Sequence, residues 1–220
     1  MTGAAFSSKY PPSETTFRGA ITMRLASGGA DVEELVDEFT EFAQNFAEFF
    51  PEDAPVAPAD VPAVVDEVVD AYNEVVTELS PDAAALMASL DELFEAGILV
   101  SYGDAFEASD AMEDLEDALA QIEAGGGRLR GYLYSLIGDL DEMVLHGRLE
   151  IAFGTFDADS AAVPAVAAEA VRILTKNGLK ASWSGEADAP IVVEPIVVDT
   201  PLVDAEDHEC DGSCGHDHEH

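Results

Sequence analysis

Positive charge is scarce in this chain. Its 220 residues hold nine Lys and Arg against 46 Asp and Glu, a formal net charge of −37. Only three of the nine are lysines: Lys9, Lys176 and Lys180. A surface this acidic repels phosphate backbones and anionic headgroups, which argues against nucleic acid and membranes as direct partners. The acids recur on the polar face of each predicted helix rather than in one block. Spread this way they make a hydrated coat suited to high salt; the competing use is docking to a basic protein partner. Cysteine is nearly missing as well. Cys210 and Cys214 stand close together near the end, so no disulfide framework supports the fold. No apolar run approaches the ~18–20 residues that span a bilayer. No basic segment leading into an apolar stretch opens the sequence, so the expected location is cytoplasmic. The triple glycine Gly125-Gly126-Gly127 lacks the strand-to-helix setting of a phosphate loop and reads as a hinge. A serine elbow, a zincin helix and a cysteine–histidine pair are all missing from the part expected to fold.

What is present is hydrophobic periodicity, with 48% hydrophobic residues. Residues 1–16, with Pro11-Pro12 and several serines, read as a flexible leader. Residues 17–80 read as a helical region. Phe17 to Leu25 enters it as a strand or a helical turn. Asp31, with Glu34 three residues on, has the form of a capping box. Leu35, Phe39, Phe42, Phe46 and Phe49 follow at spacings of 4, 3, 4 and 3, which predicts one helix to about Phe50 with a buried aromatic stripe. Four prolines between Pro51 and Pro62 make a connector, and Val64 to Leu79 form a further apolar face.

Residues 81–198 read as an α+β domain. Ser80-Pro81 starts a helix, and Gly97 ends it in the left-handed conformation, with Ile98 making the contact that follows. Ile98 to Tyr102 is the first strand. A helix from Ser109 or Asp110 leads to a second strand within Leu129–Ile137. A short helix over Asp139–His146 comes next, with His146 as a cation at its C-terminal end. Leu149, Ile151 and Phe153 alternate with Glu150 and Ala152, the period of a half-buried strand. A helix over Ser160–Asn177 and a short strand at Lys180–Trp183 complete the run, with Trp183 as a packed indole. Ile191 to Val198 is the last strand. Pro195 has no amide hydrogen, so an edge position is expected for it. The predicted architecture is a two-layer sandwich, a mixed sheet with helices on one face, plus the N-terminal helices and a disordered tail.

Leu86–Ala96 with Gly97-Ile98-Leu99-Val100, then Arg130-Gly131-Tyr132-Leu133-Tyr134, then Gly147–Asp157, then Asn177–Gly185 together carry a likeness. Over roughly residues 17–195 the chain resembles a family of bacterial, largely actinobacterial, domains of unknown function. The resemblance implies a cysteine cluster just after the first core strand. Here that stretch, Tyr102 to Ser109, has no cysteine, so no metal or redox role passes to those positions.

The densest chemical signal lies in residues 199–220. His208, Cys210, Cys214, His216, His218 and His220 place both cysteines and four of the five histidines in the last 13 residues. Thiolate and imidazole suit Zn²⁺, Ni²⁺ and similar cations. Gly212 and Gly215 let the chain turn so that both sulfurs reach one ion. The expectation is a non-enzymatic protein whose tail binds Zn²⁺ or another divalent transition metal. The alternatives are a metal-dependent enzyme using Asp157 and Asp159 at the end of a strand, and an acidic regulator that binds a basic protein. The blander reading of Asp157 and Asp159 is a loop feeding a helix N-cap.

Overall fold

The computed structural model describes residues 2–28, 31–156 and 161–202. The fold is α+β, and local chemistry sets most of its boundaries. Helix α1 (Phe17–Ala26) receives its first capping contact from far along the chain, where Asp53 Oδ2 accepts from the Phe17 amide at 2.8 Å. Helix α2 (Val32–Gln44) opens on Asp31, whose carboxylate accepts from the amides of Glu33 and Glu34. The single helix expected to Phe50 breaks at Asn45, whose φ of −120° and ψ of 33° are not helical. A short turn, α3 (Phe46–Phe49), follows. The break re-aims the stripe: Phe46 and Phe50 turn inward, while Phe49 is 45% exposed.

Helix α4 (Val61–Asn73) buries Val61, Val64, Val65, Val68 and Tyr72. Helix α5 (Pro81–Glu95) is capped by Ser80 Oγ, which accepts from the Ala83 amide. Gly97 follows with φ of +76°, the left-handed turn expected of it. The leader expected to be loose is packed. Ala5 and Ser8 are buried, Ser8 Oγ donates to Ala71 O, and Thr22 Oγ1 donates to Tyr10 O at 2.7 Å. Tyr10, Lys9 and Arg18 all donate to the carboxylate of Glu67, which these bonds hold down at a pKa of about 2. In so acidic a chain, two of the few cations meet on this one acid of α4: Lys9 ties the leader to it and Arg18 ties α1.

The sheet runs in the order β1-β2-β3-β5-β4. Strands β1 (Ile98–Tyr102) and β2 (Gly131–Ser135) are parallel, joined over α6 (Ala108–Ala124). Strand β3 (Leu149–Gly154) returns antiparallel after α7 (Ile137–His146). Helix α8 (Val163–Lys176) leads to the two-residue β4 (Ala181–Ser182), which pairs antiparallel with β5 (Ile191–Val193), as β5 does with β3. The edge position expected for the last strand is therefore wrong. Strand β5 is flanked on both sides, because pairing stops at Val193, before Pro195, and the missing amide falls outside the ladder.

The buried apolar residues form two clusters. One gathers Leu133, Leu149, Ile151, Ile191 and Val193 of the sheet under α5, α7 and α8. The other gathers α1 to α4 around Phe17. Val144 on α7 packs against both. Helix α6 packs on β1, and its buried Ala111 and Leu115 belong to neither.

Candidate functional site

The two clusters are sewn together by residues 196–202. Ile196 N donates to Gly147 O, and Val197 N donates to Asp82 Oδ2 at 2.9 Å. Ser80 Oγ donates to Val197 O at 2.8 Å, and the Ser80 amide donates to Asp199 O. The Asp199 carboxylate is 9% exposed and accepts from the amides of Ala4 and Ala5. Tyr72 donates to Thr200 O at 3.1 Å, and burial raises its pKa to about 12. Leu202 rests on the helical cluster. Residues 199–202, the first four that the sequence assigns to the tail, therefore belong to the body.

A cavity of about 390 Å³ lies beside this strap. Its walls come from Gly3 and Phe6 at the start of the chain, from Met143 to Gly147 at the end of α7, and from Ile196 to Asp199. His146 is the last residue of α7, before Gly147 with φ of +71°. Its side chain is 65% exposed, and its Nε2 lies 3.8 Å from Glu142 Oε2 one turn back. The expected C-terminal imidazole is thus in place, at the rim of a cavity.

A second cleft, about 370 Å³, opens where the parallel strands β1 and β2 end. The carboxyl ends of parallel strands are a common location for ligand sites. Arg24 of α1 enters this cleft between two acids from other helices. Its Nη1 donates to Asp141 Oδ1 of α7 at 2.6 Å, and its Nε to Glu38 Oε1 of α2 at 3.4 Å. All three side chains are mostly covered, at 17%, 20% and 26% exposure. Burial raises the pKa of both carboxyls, and the guanidinium only partly offsets it. The Phe106 ring lies 6.0 Å from the guanidinium carbon. Tyr102 donates to Ser27 O, and burial alone pushes its phenol well above its ordinary range. The arrangement is an interlayer ion cluster with two acids for one base, and an electrostatic preference for cations at its mouth.

None of Arg24, Glu38 and Asp141 is singled out as a site residue by the sequence. The available signal was Arg24 itself, a guanidinium between Met23 and Leu25 in an apolar helix, where it requires a buried acid partner. Trp183 is the packed indole expected: its Nε1 donates to Glu186 O, and its ring meets Phe153 edge-on. Asp157 and Asp159 lie outside the described residues. So do His208, Cys210, Cys214, His216, His218 and His220. Among the described residues, no group of three or more His, Cys, Asp or Glu side chains is placed to hold a metal ion. Among the same residues, no helix is long and apolar enough to cross a membrane.

The chain belongs to the family described as Domain of unknown function (DUF6891), whose family model matches residues 11–199. That span ends on the buried Asp199, so the cysteines and the tail histidines lie beyond it. No curated protein and no solved structure matches the chain.

Proposed function

We propose that this is a non-enzymatic binding protein whose C-terminal tail captures a divalent transition metal, Zn²⁺ or Ni²⁺ first. The carrying observation is the concentration of soft and borderline ligands. Both cysteines and four of the five histidines fall within residues 208–220. Two thiolates and two imidazoles satisfy a tetrahedral shell, and the remaining imidazoles allow ligand exchange.

The chemistry of the body supports the non-enzymatic part of this reading. Its buried hydroxyls serve the backbone or a turn: Ser89 donates to Ala85 O, Ser135 to Glu150 O, and Ser101 to the Asp104 carboxylate. Ser89 and Ser135 spend their protons on backbone carbonyls, and the carboxylate that Ser101 meets also accepts from the Tyr102 amide as part of the turn; no imidazole joins any of the three.

Equilibrium dialysis against Zn²⁺ and Ni²⁺, with metal analysis, tests the proposal. The full chain is compared with a full-length variant carrying Cys210→Ser, Cys214→Ser, His216→Gln and His218→Gln. Binding should weaken at least about tenfold in the variant. Equal uptake by both proteins would refute the tail site.

A further inference from the structure

We infer that the cleft at the ends of β1 and β2 is a docking groove for an arginine-bearing segment of a basic protein partner. Such docking is independent of metal capture by the tail. Beneath the charged mouth the groove is apolar. Leu35 and Leu140 are buried there, and Ile137 is half-buried. Four acids line the cleft, Asp31, Glu34, Glu38 and Asp104, against one base, Arg24. Arg24 pairs with Glu38 and with Asp141. Among the described residues, Asp31, Glu34 and Asp104 form no ion pair.

Phe106 stands on the rim of this groove. At 59% exposure it is the most exposed large apolar side chain among the described residues. The loop that carries it is nevertheless held at several points. Ala105 is buried, and its carbonyl accepts from the Ile137 amide at 3.0 Å. The Asp104 carboxylate accepts from the Tyr102 amide and the Ser101 hydroxyl. Gly103, with φ of +73°, fits against Leu140 where a Cβ would clash. An aromatic ring presented to solvent by an anchored loop costs little further ordering when a partner covers it.

Arg24 shows which cation this groove suits. Its guanidinium lies 6.0 Å from the centre of the Phe106 ring and donates to a carboxylate on either side. The chain fills that inner place itself. The exposed part of Phe106 and the three unpaired carboxylates are left for a second guanidinium, which forks onto carboxylates and stacks on rings as an ammonium does not. Charge complementarity selects a segment rather than a lone ion. The net charge of −37 draws polycations from a distance. Exposed acids also continue along the elements that form the mouth, Glu33 and Asp37 on α2, then Glu107 and Asp110 just after Phe106. A chain bearing several arginines spans such a track and lays its side-chain stems on the apolar floor.

The test measures fluorescence anisotropy of a fluorescein-labelled octapeptide of alternating arginine and glycine, titrated with the full-length protein at about 150 mM salt, where exposed charges are screened beyond about 8 Å. The unaltered protein should bind the peptide. Phe106→Ala, which removes no charge, should weaken binding about fivefold. Glu34→Gln should weaken it about threefold. Asp91→Asn makes the same charge change at an exposed position on α5, which leads into the opposite end of β1, and should leave binding unchanged. All three side chains are exposed, so the variants fold, and circular dichroism checks this. Absence of binding by the unaltered protein overturns the inference, as does full affinity in Phe106→Ala. A loss in Asp91→Asn equal to that in Glu34→Gln would mean that the acidic coat as a whole holds the peptide, and also overturns it. Displacement of the peptide by an equal concentration of spermidine would assign the groove to a small cation instead.

Discussion

The helical layer and the sheet layer are filled with different side chains. The helical layer is aromatic and has a hub. Phe17 is fully buried and meets three rings, Phe39 at 5.3 Å, Phe46 at 5.4 Å and Phe50 at 5.3 Å between centroids. The sheet layer buries Leu, Ile, Val, Ala and Met, and its cluster contains no fully buried phenylalanine. Helices alone present few close surfaces, so large rings bridge the gaps between them. Helix α8 lies over the sheet, and its fully buried Ala167 and Ala170 let it approach closely. One layer concentrates its cohesion in a few residues; the other spreads it over many.

Substitutions can break or sharpen this contrast. Phe17→Ala should cost the most, about 3–5 kcal/mol, because it removes the hub and leaves a cavity that α1 to α4 cannot collapse into. Urea unfolding measures this, and a loss under 1 kcal/mol would show that the aromatic layer has no hub. Arg24→Leu should come next, at about 2 kcal/mol near pH 7, since it leaves Glu38 and Asp141 without a cation across the junction. This loss should depend on pH. Both carboxyls already titrate above their ordinary values in the folded state. Their ionised forms therefore oppose folding. Their contribution to stability is greatest below the unfolded-state values and declines as pH rises through the folded ones. Without the guanidinium the penalty grows, so the Arg24→Leu loss should be larger at pH 7 than at pH 4. Equal losses would show that the guanidinium does not offset their burial.

Asp199→Ala should cost about 1.5 kcal/mol by orphaning the amides of Ala4 and Ala5. Proteolysis should then cut first in residues 2–16, which checks that the strap, not the layer's own packing, holds that end. Ile173→Val, in the distributed layer, should cost only about 1 kcal/mol although Ile173 is fully buried.

What the sequence made legible was local. Ser80-Pro81, Asp31 and Gly97 each state a boundary through their own side chain or backbone freedom, and the structure places each boundary there. What stayed hidden depends on distant partners. The period of the phenylalanine stripe runs unbroken through Asn45, and only the position of Phe17, 28 residues earlier, explains why Phe46 and Phe50 turn inward. Pro195 reads as the mark of an edge strand running to Val198, whereas pairing ends at Val193 and the location of β5 is settled by the strands that flank it. The Arg24–Asp141 bond joins residues 117 positions apart, and no local pattern encodes it. The leader looked loose because its composition is that of a loop, while the carboxylate that fixes it, Glu67, lies on α4.

The bonds of Ser80, Tyr72 and Ala4 to residues 197–200 also bear on how this polypeptide is made. During translation the early helices emerge long before the acceptors that seal them. The amino-terminal half must wait, unsealed, while more than a hundred further residues are synthesised. A message truncated just ahead of codon 197 therefore yields both layers with neither sealed, rather than one finished layer and one missing, and proteolytic quality control should clear both alike.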